Sequence, residues 1–129
     1  MNILDENILK DQRQLLRSWR IRVGQIGHDI GRKGLQDEEI VRLLLRLRRP
    51  TFFTRDLGFY DRRLCHARYC VVCLAVDKYE AAVFVRRALS HRALNTQTKR
   101  MGTVIRVTHS GVSVWRLRAE EEFFLAWAG

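Results

Sequence analysis

Short apolar runs alternate with amphipathic ones along most of this chain, and that alternation restricts the fold more than any other feature. Met1–Leu4 reads as a short buried strand, and Asn7 to about Ile21 carries Ile8, Leu9, Leu15, Leu16 and Trp19 at helical spacing. Arg22–Ile26 suits a second short strand between Gly24 and Gly27, and Gly31 and Gly34 mark a basic loop. Asp37–Leu47 predicts a helix, with Ile40, Val41, Leu44 and Leu47 in one stripe, acids at its start and arginines at its end, stopped by Pro50. Thr51–Thr54 and Tyr69–Val76 read as strands, joined by a long polar loop. Asp77-Lys-Tyr-Glu80 is a capping box that opens a helix through Leu89. Gly102–Val107 and Val112–Leu117 flank His109-Ser-Gly111 as a hairpin. Strands alternating with helices predict an α/β fold with a mostly parallel sheet and a C-terminal β-hairpin, whose site lies beyond the carboxyl ends of the strands.

At 129 residues, nearly half of them apolar, the chain suits one domain with one core and excludes disorder. No apolar run is long enough to span a membrane, and the N-terminus lacks a signal-peptide pattern, so the cytoplasm is the expected location. Lys and Arg number 24 against 14 Asp and Glu, a net charge of +10, and 20 of the 24 cations are arginine. Arginine binds phosphate through two parallel hydrogen bonds, which points to a nucleic acid or to an acidic protein, although a GC-rich genome also enriches it. Cys70-Val-Val-Cys73 has the spacing of a redox or zinc pair, but on a strand residues three apart face opposite ways. Buried apolar thiols are the expectation, and Cys65-His66 does not change it.

Three acidic motifs stand out against this basic background: Leu4-Asp5-Glu6-Asn7, Gln36-Asp37-Glu38-Glu39-Ile40 and Thr54-Arg55-Asp56. Converged carboxylates repel one another unless a divalent cation neutralises them. Each acid also has a plainer role. Asp5, or equally Asn7, suits the cap of the first helix, and Asp37 that of the helix it precedes. Asp56 has no evident helix to cap, which leaves a turn through Gly58 as its ordinary explanation. Asp77 belongs to its capping box and stays outside the site.

With these motifs in this order, residues 1 to about 90 resemble the PIN-like proteins, in particular a small single-domain group that starts with Leu-Asp-Glu-Asn and is catalogued largely as toxins of toxin–antitoxin pairs. The resemblance implies a three-layer α/β/α sandwich over residues 1–118 and a Mg²⁺- or Mn²⁺-dependent endoribonuclease. Asp5, Asp37 and Asp56 would be catalytic. The metal would be held by Asp5, Asp56 and Asp37 or Glu38, with Asp61 as a further acid. The group often has an acid where this chain has Gly58, and Asp61 would have to bend back to compensate. Arg32, Arg55, Arg62 and Arg63 would hold RNA phosphates, and Tyr60 or Phe59 would stack on a base, although Phe59 also suits the core. The implied partners are an RNA substrate and a cognate antitoxin protein, with no membrane.

The competing reading is a non-catalytic module that binds RNA or an acidic protein on the same surface. Residues 119–129, with three acids before Phe123, Phe124 and Trp127, predict a short helix. It would dock on its own domain or, as a third reading, drive assembly into a homodimer.

Overall fold

A computed structural model describes residues 1–127. Its centre is a seven-stranded sheet in the order β2-β1-β3-β4-β5-β6-β7. The strands are β1 (Asn2–Leu4), β2 (Gly24–Gln25), β3 (Thr51–Thr54), β4 (Cys70–Leu74), β5 (Thr103–Thr108), β6 (Gly111–Arg116) and β7 (Phe123–Ala126). The first five pair in parallel, while β5, β6 and β7 form an antiparallel extension. The helices are α1 (Lys10–Ser18), α2 (Asp37–Arg46), α3 (Ala81–Ser90) and the single turn α4 (Gln97–Arg100).

The period of two along the central strands divides the core into two layers. Leu4, Phe53, Val72 and Ile105 point to the face covered by Leu16 of α1 and by Ala81, Phe84 and Val85 of α3. Ile3, Phe52, Val71 and Val104 point to the other face, which Ile40, Leu43 and Leu44 of α2 cover. Every residue of β3 and β4 is buried, as expected for parallel strands with helices on both sides. Cys70 joins the first layer and Cys73 the second, so the two thiols face apart as the spacing predicts, and burial pushes both up to about 12.

Four expectations are corrected. The first helix begins at Lys10, not Asn7, and its N-cap is Leu9, which caps without its side chain; neither Asp5 nor Asn7 serves there. The cap of α2 is Gln36, whose backbone N–H donates to Glu39 at 3.1 Å, so Asp37 is the first helical residue. The loop after β3 contains two 3₁₀ turns, Leu57–Phe59 and Arg62–Leu64, capped by Asp56 and Asp61.

The fourth correction concerns the tail, which forms β7 where a helix was expected; Ala128 and Gly129, the end of that expected helix, lie outside the described residues. Phe123-Phe124-Leu125-Ala126 pairs with β6, and its alternating exposure matches a strand. The tail docks on its own domain. Trp127 Nε1 donates to Thr108 O at 2.8 Å, and the Arg87 guanidinium lies 4.4 Å from the centre of its ring.

Candidate active site

The parallel register sets the candidate site. Leu4 of β1 is opposite Phe53 of β3, and the Asp5 N–H donates to Phe53 O at 2.8 Å. Asp5 therefore leaves its strand beside Thr54, at the carboxyl ends of both strands. The Thr54 hydroxyl donates to Asp5 Oδ2 at 2.6 Å and accepts the Asp56 N–H at 2.9 Å. One buried side chain thus links the first and third acidic motifs across 49 residues of sequence. The other Asp5 oxygen accepts the Glu6 N–H at 2.8 Å.

Asp5 is 5 % exposed and pairs with no cation among the described residues. Desolvation pushes its carboxyl above the ordinary range, with smaller contributions from the charges of Glu6 and Asp56; the bonds from Thr54 and Glu6 pull the other way. Asp37 is also shifted upward, first by its desolvation and then by Asp56 and Glu38. Asp56 therefore acts electrostatically on both other acids, and the three motifs share one anionic field. That field stops short of a closed ligand set: among the described residues, no three His, Cys, Asp or Glu side chains group closely enough to hold a metal ion.

The structure redistributes the plainer roles of these acids. Asp56 Oδ1 accepts the Gly58 N–H at 2.9 Å and caps a 3₁₀ turn, so the acid expected to have no cap role has one. Asp5 and Asp37, both expected to cap helices, cap none. Asp61 is engaged by Arg63 at 2.7 Å, which lowers its carboxyl below the usual value and holds it away from the other acids' task.

The residues expected on RNA all have partners within the protein. Arg32 pairs with Glu39 at 2.8 Å, Arg55 Nε donates to Val76 O at 3.1 Å, and Arg62 lies 4.8 Å from the centre of the Trp115 ring. Tyr60 donates to Glu122, and Arg106 lies 5.0 Å from the centre of its ring. Burial and the Glu122 bond raise the Tyr60 phenol. Phe59 is a core residue, edge-on to Phe52 with ring centres 5.4 Å apart.

Two positioning residues escaped the sequence reading. Thr54 opens the Thr54-Arg55-Asp56 motif, yet nothing in the sequence shows its hydroxyl reaching back to Asp5. Gln25, 4 % exposed, donates through Nε2 to Asp5 O at 3.0 Å and Ile8 O at 2.7 Å, while its Oε1 accepts from Arg13 at 2.6 Å. It fixes the backbone that carries Asp5, and the only hint in the sequence is a polar Gln25 inside the short strand expected over Arg22–Ile26.

Thr54→Val keeps the shape and removes the hydroxyl. It should cost about 1–3 kcal/mol, because a buried carboxylate loses its donor and the Asp56 N–H loses its acceptor. The Asp5 carboxyl should move still higher, and Thr54→Ser should restore it. An NMR titration of the Asp5 carboxyl reads both effects; an unmoved Asp5 would show that Thr54 only packs.

No family model, no curated protein and no solved structure was found to match this chain.

Proposed function

We propose that the chain is a PIN-like, Mg²⁺- or Mn²⁺-dependent endoribonuclease of the toxin type, with an antitoxin protein as its partner. The observation that carries this reading is the Asp5–Thr54–Asp56 linkage at the carboxyl ends of two adjacent parallel strands. A parallel α/β sheet places its chemistry at that end. Asp5 is held in a buried place without a cation and without a capping duty, an arrangement that costs stability and that function would explain.

The donor chemistry fits a hard cation, because the candidate ligands are carboxylate oxygens. Since no three His, Cys, Asp or Glu side chains group around an ion among the described residues, the cation would be one that keeps most of its own water, and Asp5, Asp56 and Asp37 or Glu38 would hold it. When bound, such a cation supplies a water of lowered pKa and neutralises charge at the phosphoryl group. Thr54 orients the Asp5 carboxylate, and Gln25 holds its backbone in place.

Gly58 favours a second reading, a binding module without turnover. The acid common in the resembled group is absent here, and a side chain at this position would start 3.0 Å from Asp56 Oδ1, so it would need that carboxylate to give by a few tenths of an ångström. A fluorophore-labelled single-stranded RNA distinguishes the two. The nuclease reading expects fragments with Mg²⁺ or Mn²⁺ and none with EDTA. Binding that EDTA leaves unchanged, with no cleavage in either metal, would select the module.

A further inference from the structure

We infer that the chain carries a second anionic-ligand surface, a phosphate-backbone cleft for single-stranded RNA at the end of the sheet opposite the carboxylates. It shares the RNA partner of the proposed function but does not depend on cleavage.

The cleft, about 470 Å³, is lined by Arg46, Leu47, Arg48, Arg49, Ala67 and Arg68. Residues 46–49 leave the end of α2, and Pro50 leads into β3; Ala67 and Arg68 approach the start of β4. The two segments meet because β3 and β4 are parallel neighbours, and the Cys70 N–H donates to Pro50 O at 3.0 Å. The arginines therefore gather at the amino ends of the strands. Asp5 and Asp56 lie beyond the carboxyl ends, about 13 Å away along a four-residue strand.

The positive charge here is uncompensated. All four arginines are exposed, and none forms an ion pair among the described residues. Helix-end arginines suit the dipole of α2, but that accounts for Arg46 and its neighbours and not for Arg68, which comes from another segment. Beneath them Arg100 is only 7 % exposed and meets neutral acceptors alone, Thr51 Oγ1 at 3.0 Å and Leu94 O at 2.7 Å. A buried guanidinium without a carboxylate adds a fixed positive potential to the same edge.

Backbone strain is part of the arrangement. Arg49 has φ +51° immediately before Pro50, a left-handed conformation that few side chains adopt and that a following proline does not favour. The Arg49 guanidinium donates to Thr98 Oγ1 at 3.1 Å.

The ligand follows from the lining. Guanidinium forks pair with phosphate oxygens, and the cleft offers no aromatic side chain to stack on a base or to anchor a protein partner. Contacts of this kind hold a strand without reading its sequence.

The test measures binding of a labelled single-stranded RNA in EDTA over a range of salt concentrations. Arg48→Gln with Arg68→Gln is compared with Arg22→Gln with Arg118→Gln, which removes the same charge from two exposed positions that do not share a cleft. The cleft pair should weaken binding by about 10-fold or more and flatten the salt dependence by roughly 1.4 in log–log slope, about 0.7 for each lost phosphate contact. The control pair should stay near wild type. Equal losses in both pairs would reduce the effect to bulk charge and overturn the proposal. Loss of polyglutamate binding with RNA binding intact would overturn it in favour of an acidic protein. Arg48→Lys with Arg68→Lys keeps the charge and tests the guanidinium itself: it should lose part of the affinity but keep the salt slope. Unchanged melting temperatures in all variants separate binding from folding.

Discussion

Asp5→Asn should lower RNA cleavage by about 100-fold or more and at the same time raise the melting temperature of the protein. The first effect is the loss expected on removing one preorganised charged group if Asp5 stands at the proposed reacting centre. The second follows from linkage. The folded-state pKa of Asp5 lies above its unfolded value, so the native state binds more protons between the two values. Stability from this group is therefore fully present below the unfolded pKa and is lost as pH rises through the folded one. At neutral pH the ionised carboxylate is a burden that a neutral amide relieves. Asparagine keeps one contact and reverses the other: its oxygen can face the Glu6 N–H, and its amide can donate to the Thr54 hydroxyl, which also accepts the Asp56 N–H and gives up its own donated bond. In EDTA, wild-type stability should accordingly fall as pH rises through the raised Asp5 pKa, and Asp5→Asn should remove that dependence. A cleavage assay and a thermal melt on the same preparation decide the matter. Activity retained in Asp5→Asn would sink the nuclease site, and a lower melting temperature would show Asp5 to be structural.

Gly111→Ala should destabilise the fold by roughly 3 kcal/mol, the sum expected of steric overpacking and backbone strain. Gly111 opens β6 at φ +153°, directly opposite Ala126 of β7. A Cβ there would stand 2.3 Å from Leu125 O, 2.8 Å from Phe124 Cζ and 3.0 Å from Ala126 Cα. Two of these three atoms are backbone, so no side-chain rotation relieves the contact. Either β7 leaves the sheet or the start of β6 shifts, and β7 should yield first because it is the edge strand. Urea unfolding reads the loss, and hydrogen exchange locates it: amides of Phe123–Ala126 should lose protection before those of β4. Wild-type stability in Gly111→Ala would mean that β7 does not pack on β6 in solution.

The edge strand also shows where sequence reasoning failed. Residues 119–129 carry three acids before an aromatic cluster, a pattern that a terminal helix and an edge strand satisfy equally. Pairing with β6, and the hold of Thr108 and Arg87 on Trp127, selected the strand. Helix caps failed for a related reason. Asp5 and Asp37 have the right residue type in the right place for capping, but the chain turns once more after Asp5, and Gln36 takes the other position. A cap depends on backbone angles that residue type constrains only weakly.

The sequence by itself determined the alternation of strands and helices, the parallel sheet with its closing hairpin, and the opposite facing of Cys70 and Cys73. Those properties follow from periodicity, which each segment carries locally. It also placed Asp5 and Asp56 just after strands. Only the tertiary structure decided that the two strands are neighbours, that Thr54 joins the acids, that Asp61 belongs to Arg63, and that arginines from two segments meet at the opposite end. Strand order and register are set by packing between residues distant in sequence, and no local pattern encodes which strand lies beside which.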